Sequence, residues 1–276
     1  MSRCPCRRSA HDRGTRGRFT RAREHSPAHS TARPPPDGAP ADDVVTVSSV
    51  VRTYGRGTTE VRALDGVSAA IARGRFTAVV GPSGSGKSTL MHCMAGLDSV
   101  SSGSIVLDGV EITGLSDRAL TRLRRERVGF VFQSFNLLPQ LTAYENIVLP
   151  VTMSGGRPDR ELVDHLVEVL GIADRLSHRP AELSGGQQQR AAVARALVSR
   201  PAVVFADEPT GNLDSRVGAE VLSFLRRSVD ELGQSVVMVT HDLVAARYAD
   251  HVLTLADGRV AGCGAPAAPP SAGRNR

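Results

Sequence analysis

The amino-acid sequence predicts an α/β protein built on a parallel sheet that is buried on both faces. Short, continuous apolar runs alternate with segments of helical periodicity, which is typical of a sheet covered by helices. The chain has 276 residues, of which 41% are hydrophobic and four are cysteine. The hydrophobic content excludes a wholly disordered chain, and the low number of cysteines excludes a disulfide scaffold. It contains no run of about 18 uncharged apolar residues and no secretory leader, so we expect no membrane-spanning segment.

The first part of the chain is predicted to form strands, one short helix and a hairpin. Strands are expected over 44–51, over 61–71 with a break at Asp65–Gly66, and over 75–80, and a helix over 90–95. Gly96 provides the stop for that helix. The Asp108–Gly109 pair predicts a tight turn between strands at 104–107 and 110–112.

The remainder of the chain alternates helices with apolar strands. Helices are predicted over 117–127, 143–151, 161–170 and 188–200, with breaks at Gly155–Gly156 and Pro201. Strands are predicted over 128–133, 202–206, 235–240 and 251–255. Because strands separated by helices usually pair in parallel, these runs predict a single parallel sheet.

Charge is concentrated at the amino-terminal end. Residues 1–41 hold nine arginines and three acidic residues, a net charge of +6, which equals the net charge of the whole chain. The basic character therefore belongs to this segment, and we expect no specific nucleic-acid partner. We predict a disordered basic tail over 1–41, a folded domain over 42–261 and a loose tail over 262–276. The first tail could anchor the chain to anionic lipid or RNA, but a plain solvated extension is the interpretation we favour.

Lysine occurs once, at Lys87, whereas the other 33 basic residues are arginine. A bias in the coding sequence would account for the excess of arginine. The one position that remains lysine is then a candidate for a site where a planar guanidinium cannot replace a compact ammonium.

A glycine-rich segment that contains Lys87 matches the pattern G-x-x-x-x-G-K-[ST] and lies between a predicted strand and a predicted helix. Its residues are Gly81, Pro82, Ser83, Gly84, Ser85, Gly86, Lys87, Ser88 and Thr89. Glycine lets the backbone wrap closely around phosphate oxygens, and the helix N-terminus presents N–H groups to the anion. Lys87 would sit between the β- and γ-phosphates, and the Ser88 hydroxyl can bind Mg²⁺.

Two carboxylates, Asp207 and Glu208, end the apolar strand at 202–206. A buried parallel strand delivers its last residues to the carboxyl edge of the sheet, where ligands bind. We expect Asp207 to hold Mg²⁺ and Glu208 to act as a general base on the attacking water.

A third motif, Leu183-Ser184-Gly185-Gly186-Gln187, precedes the helix at 188–200. Ser184 and Gln187 have the spacing of a capping box, which predicts a helix start whatever the function. Two glycines leave the first N–H groups sterically open, and open N–H groups at a positive helix end suit a phosphate.

Together these motifs resemble the ATP-binding cassette (ABC) ATPases over residues 43–261. The resemblance implies that Tyr54 stacks on adenine, that Gln133 and His241 are catalytic with Lys87 and Glu208, and that Mg²⁺ is held by Ser88, Gln133 and Asp207. It also implies that nucleotide is contacted by Gln133, Ser184, Gly185, Gly186, Gln187, Asp214 and His241. The implied fold is a P-loop NTPase (RecA-like) core with a parallel sheet, an antiparallel β subdomain, and a helical subdomain over about 134–182.

Segments at 135–139, 142–147 and 207–215 are similar to the subgroup of lipoprotein-releasing, macrolide-exporting and cell-division ABC ATPases. Membership would imply ATP and Mg²⁺ as ligands, a second copy of the chain as partner, and separate permease subunits at the cytoplasmic face of the membrane. A regulatory ATPase that signals through a membrane partner without moving a substrate stays open as an alternative. A soluble protein acting on DNA or ribosomes is disfavoured, since the chain has one cassette and no heptad run.

Overall fold

The computed structural model describes residues 43–55 and 57–266. The predicted tail over 1–41 lies outside these ranges. Within them, ten strands, β1–β10, run over Asp43–Tyr54, Val61–Ala72, Phe76–Val80, Ser102–Leu107, Val110–Glu111, Val128–Val131, Val203–Asp207, Ser235–Val239, His251–Ala256 and Arg259–Gly264. Seven helices, α1–α7, run over Lys87–Met94, Asp117–Arg127, Ala143–Met153, Arg160–Val169, Gly185–Leu197, Ser215–Leu232 and Leu243–Ala246. No helix of the described residues is long and apolar enough to cross a membrane.

The larger sheet has the strand order β10-β9-β3-β8-β7-β6. The five strands from β9 to β6 are parallel, and only β10 pairs in the antiparallel sense. Every residue of β3 and β8 is buried. Along β3, Phe76 and Ala78 pack into the core shared with α3–α6, whereas Val79 packs into the core beneath α1 and the smaller sheet. The predicted parallel sheet with two buried faces is therefore confirmed.

The smaller sheet is antiparallel, with the order β2-β1-β4-β5. The predicted break at Asp65–Gly66 is wrong, because β2 continues through both residues. The pairing slips there instead: Val50 lies opposite Val67, but Arg52 lies opposite Leu64. The extra residue on β2 forms a β-bulge, and Gly66 has the positive φ of 71° that such a site favours. A glycine that suggested an interruption thus bends the strand without ending it.

A helical layer follows β6, and one buried side chain fixes its first turn. Asn146 of α3 is fully buried; its amide accepts from Leu138 N–H and donates to the carbonyls of Leu138, Leu141 and Thr142. Thr142 caps the same helix in a capping box with Glu145. These bonds satisfy the polar groups of a loop that has no sheet to pair with.

Three further elements, α6, α7 and β10, differ from the sequence-based expectation. The sequence pattern predicts neither α6, the longest helix, nor the four-residue α7. Asp214 nevertheless caps the start of α6, and Gly233 ends it in the left-handed conformation. The tail expected to be loose from Gly262 is still a strand there, because β10 pairs with β9 as far as Gly264. Its glycine and alanine content suggested a loop, but backbone hydrogen bonds to β9 hold it. The rest of that tail, over 267–276, lies outside the described residues.

Candidate nucleotide-binding site

The predicted catalytic and phosphate-binding residues of four segments gather at the carboxyl edge of the parallel sheet, whereas Tyr54 lies on β1 of the smaller sheet. The glycine-rich loop follows β3, His241 follows β8, Glu208 follows β7, and Gln133 lies two residues beyond β6. These strands are neighbours in the order β3-β8-β7-β6. The carboxyl ends of parallel strands meet at one edge, so the sheet brings four distant segments of the chain together.

The glycine-rich loop is pressed against backbone on two sides. A Cβ at Gly81 would lie 2.1 Å from the carbonyl oxygen of Leu255, and a Cβ at Gly86 would lie 2.4 Å from that of Ala63. Gly86 also has φ of 96° and offers no side-chain acceptor to the first turn of α1. The N–H groups of that turn are left for an external anion. The loop therefore has the shape and the donors of a phosphate cradle.

Lys87 is the cation of this cradle. Its side chain is buried, and Nζ donates to the carbonyl of Pro82 over 2.8 Å. The ammonium is thus folded back over the loop. A buried ammonium bonded to a neutral carbonyl is poorly compensated, so an anion in the loop would stabilise it.

Ser88 and Asp207 face each other next to the cradle. Ser88 Oγ lies 3.5 Å from Asp207 Oδ1, at the outer limit of a hydrogen bond. Burial raises the pKa of Asp207, while His92, Ser88 and Lys87 act in the opposite direction. A hydroxyl and a carboxylate are oxygen ligands of the kind that Mg²⁺ prefers. Among the described residues there is no group of three His, Cys, Asp or Glu that could hold a metal, so phosphate and water oxygens would have to complete the shell.

Glu208 and His241 form a hydrogen-bonded pair. His241 Nδ1 lies 2.7 Å from Glu208 Oε1, the His241 N–H donates to the same oxygen over 3.1 Å, and Thr240 Oγ1 donates to Oε2 over 3.3 Å. The hydrogen bond between His241 Nδ1 and the Glu208 carboxylate raises the pKa of His241. Glu208 has φ of 45°, an unfavourable value for a residue with a side chain, and strain of this kind concentrates at functional sites. The carboxylate is held by its neighbours while the imidazole stays largely exposed.

Gln133 contacts the loop after Glu208 and not the Ser88–Asp207 pair. Its amide donates to Asn212 Oδ1 over 3.4 Å, and Asn212 Nδ2 donates back to the Gln133 carbonyl over 3.1 Å. Asp214 accepts from the N–H groups of Arg216 and Val217 as the cap of α6. The structure thus gives Gln133 and Asp214 protein partners, and their predicted contacts with metal and nucleotide stay predictions.

The segment Ser184–Gln187 lies apart from the cradle. The predicted capping box is present, since Ser184 Oγ accepts from Gln187 N–H and Gln187 Oε1 accepts from Ser184 N–H. A Cβ at Gly185 would lie 3.8 Å from the ring of Phe135, which follows β6, and β6 is three strands from β3, the strand that leads into the cradle. Ser184 and Gly185 are exposed. In the described residues, no hydrogen bond joins this helix start to the glycine-rich loop.

The two glycines of this segment have different roles. Gly185 is exposed, with only distant neighbours for an added Cβ. Gly186 is buried, and an added Cβ would lie 2.5 Å from Val217 Cγ1 of α6. The open N-terminus expected for both glycines is therefore found at Gly185, whereas Gly186 allows close packing of two helices.

Replacing Gly186 with alanine is expected to destabilise the fold by about 1–3 kcal/mol, because the new methyl group overpacks against Val217. Equilibrium urea unfolding measures the loss. In the Val217→Ala background the same substitution should cost much less, since the clash is removed. Equal losses in both backgrounds would mean that Val217 is not the obstacle.

Two residues of α5 that the sequence motifs did not indicate support the site. Gln189 is fully buried and donates to the carbonyl of Pro209, the residue after Glu208, over 2.8 Å. Arg195 donates to the carbonyls of Phe135 and Asn136, two consecutive residues with positive φ. Burial lowers the pKa of Arg195. No local signal identifies these contacts, which join segments 20 to 60 residues apart.

Fold and site together define a P-loop nucleoside triphosphatase. The family model described as ABC transporter matches residues 64–211. An uncharacterized ABC transporter ATP-binding protein of Thermotoga maritima is 43% identical over 221 residues, covering 79% of this chain and 94% of the relative. The chain therefore belongs to the ABC transporter family, as an ATPase with the predicted fold.

Two further similarities indicate the subgroup within this family. The macrolide export ATP-binding/permease protein MacB of Bdellovibrio bacteriovorus is 44% identical over 215 residues, covering 78% of this chain. The chain spans only 33% of that relative's length. The ATP-binding cassette MJ0796 of Methanocaldococcus jannaschii, solved as a post-hydrolysis dimer bound to ADP and Pi, superposes with a TM-score of 0.74 at 38% identity, covering 81% of this chain and 99% of that one. The predicted family and subgroup are confirmed.

Proposed function

We propose that the chain is the ATP-binding and ATP-hydrolysing subunit of an exporting or extracting ABC transporter, acting as a homodimer on a separate membrane permease. The observation that carries this proposal is the division of the site. The cradle, Asp207 and the Glu208–His241 pair share one region of the sheet edge, at the ends of β3, β8 and β7. The exposed start of α5 lies beside Phe135, beyond β6, and β6 is three strands from the strand that leads into the cradle. A second copy of the chain can bring its own α5 to that region.

The triphosphate binds in the loop over 81–89. The N–H groups of the first turn of α1 and the Lys87 ammonium neutralise its charge, and the N–H groups need little reorganisation on binding because the helix already holds them in place. Lys87 exchanges its bond with the Pro82 carbonyl for phosphate oxygens. The exposed face of Tyr54 receives the adenine.

Mg²⁺ would be held by Ser88 and Asp207, with Gln133 as a third ligand once its amide leaves Asn212. When bound, the ion supplies positive charge to the β- and γ-phosphates. Burial raises the pKa of Asp207, so the carboxylate is best compensated when a cation is present.

Glu208 activates the attacking water. Its carboxylate accepts a proton from that water as the water attacks the γ-phosphate, and the bonds from Thr240 and His241 fix the direction of the carboxylate. His241 lies on the exposed side of Glu208, where its ring can reach the γ-phosphate. A protonated ring would donate a charge-assisted hydrogen bond to the phosphate.

The start of α5 serves the opposite subunit. Ser184, Gly185 and Gln187 present hydroxyl, N–H and amide donors at the positive end of a 13-residue helix. Facing the γ-phosphate held by a partner copy, they would close the second side of the site. Hydrolysis removes the bridging phosphate and weakens the contact between copies, which converts phosphate chemistry into opening and closing.

A groove of about 340 Å³ next to this machinery is where we place the permease. Its lining includes two phenylalanines, Phe130 and Phe132, and three arginines, Arg124, Arg125 and Arg195. The relative MacB is a macrolide export ATP-binding/permease protein, which supports a permease partner and an export direction for this chain. Contact with a permease would place this chain at the cytoplasmic face of the membrane.

Co-expression with permeases encoded beside its gene tests the transport proposal. Purified complexes in lipid vesicles should hydrolyse ATP faster than the isolated chain and move a substrate only when Glu208 is intact. Stimulated hydrolysis without any translocation would favour the regulatory alternative. Failure of every such complex to form would contradict the proposal of a permease partner.

A further inference from the structure

The aromatic residue expected to stack on adenine is held from two directions. Arg52 lies over one face of the Tyr54 ring, with its guanidinium carbon 4.4 Å from the ring centroid. The Tyr54 hydroxyl donates to Asp98 Oδ2 over 2.5 Å. About 40% of Tyr54 is exposed, and because the guanidinium covers one face, the exposed area is the other face.

Arg52 and Asp98 are also bonded to each other. Arg52 Nη2 lies 2.7 Å from Asp98 Oδ1, and Arg52 Nε donates to Oδ2 over 3.1 Å. Arg52 Nη1 also donates to Ser99 Oγ over 3.2 Å. A bidentate arginine–carboxylate pair has a fixed geometry, and both side chains are only about one-fifth exposed. Ring, guanidinium and carboxylate thus form a closed set of three mutual contacts.

Asp98, the carboxylate of this set, lies just beyond the end of α1, the helix that follows the glycine-rich loop. The N–H groups of Leu97 and Asp98 both donate to the carbonyl of His92, in the last turn of α1. The other end of α1 starts at Lys87. An eight-residue helix of about 12 Å therefore separates the cradle from Asp98, and that helix is tied to the ring of Tyr54.

We propose that Arg52 and Asp98 are positioning residues for nucleotide binding, which hold the Tyr54 ring as a one-sided platform for a planar base at a fixed distance from the phosphate cradle. The proposal rests on the nucleotide binding proposed above and assigns its base subsite. Because the hydroxyl is occupied by Asp98, Tyr54 offers the base a stacking surface and no free hydroxyl proton. The platform is thus suited to planar bases in general, through stacking that tolerates differences at the base edge.

Comparing the affinity for ATP with that for inorganic tripolyphosphate, each with Mg²⁺, separates the contribution of the base from that of the phosphates. We expect Tyr54→Ala and Asp98→Ala to weaken ATP binding by roughly tenfold, given what one stacked base contributes. Tripolyphosphate binding should not change in either variant. In the Tyr54→Ala background, Asp98→Ala should have no further effect on ATP, because Asp98 acts through the ring. Isothermal titration calorimetry gives all of these constants.

Asp65→Ala is the matched control. Asp65 is also about one-fifth exposed and pairs with two arginines, Arg62 and Arg259, but lies on β2 without contact to Tyr54. It should leave both affinities unchanged. Tyr54→Phe, which keeps the ring and removes only the bond to Asp98, should weaken ATP binding less than Tyr54→Ala, and it provides a test if Asp98→Ala fails to fold.

The other outcomes would overturn the proposal. Unchanged ATP binding in Asp98→Ala, or an additive loss in the double variant, would mean that Asp98 does not act through Tyr54. Equal weakening of ATP and tripolyphosphate would assign Asp98 to the integrity of the cradle. Unchanged ATP binding in Tyr54→Ala would place the base elsewhere. A wild-type chain that binds neither ligand would refute the proposed nucleotide binding itself.

Discussion

Glu208→Gln is expected to lower the rate of ATP hydrolysis by about 100-fold or more, the usual contribution of a general base. The amide keeps the size of the carboxylate and can still accept from Thr240, but it cannot take a proton from water. ATP affinity should change little, because the cradle is formed by the loop over 81–89. Steady-state phosphate release and nucleotide titration measure the two effects separately.

Glu231→Gln is the control for this substitution. Glu231 lies at the exposed end of α6, paired with Arg227, and its replacement should leave hydrolysis unchanged. If Glu208→Gln kept wild-type turnover, Glu208 would not be the base. If it lost ATP binding as well, the carboxylate would be part of the nucleotide contacts and not only of the chemical step.

Lys87→Arg should weaken ATP binding by at least about tenfold and reduce hydrolysis further, although the formal charge is conserved. Lys87 is only 8% exposed and its ammonium lies against the Pro82 carbonyl of the loop. A planar guanidinium is larger and cannot occupy that space as a point charge. The loss of a charge-assisted contact accounts for the expected size of the effect.

The reciprocal exchange Arg122→Lys supplies the comparison. Arg122 is 81% exposed on α2 and pairs with Glu126, so this exchange should not affect binding or turnover. Wild-type activity in Lys87→Arg would refute the inference drawn from the single lysine of the sequence.

Most of the fold and the chemical core of the site follow from short, contiguous patterns. The glycine-rich loop, the Asp207–Glu208 pair and the capping box at Ser184 each combine residues within about ten positions, and the parallel sheet explains why they meet. The chemistry of these segments is encoded locally, so it can be interpreted without knowledge of the packing.

What the sequence did not reveal depends on packing between distant segments. Val217 makes Gly186 a packing residue, and nothing near Gly186 in the sequence indicates this. Asp98 reaches Tyr54 across 44 positions of the chain. The strand at 259–264 is held by hydrogen bonds to β9 that composition cannot show. Side-chain pattern is a weak guide wherever backbone pairing or interhelical contact decides the structure.

The central claim is that one phosphate is held between two copies of the chain. The most direct test is to measure the mass of the Glu208→Gln variant in solution by sedimentation, with Mg²⁺ and either ATP or ADP. We expect ATP to shift the variant from monomer to dimer and ADP to leave it monomeric, since only ATP supplies a γ-phosphate for the opposing helix start. A variant that binds ATP and stays monomeric at every protein concentration would contradict the two-sided site.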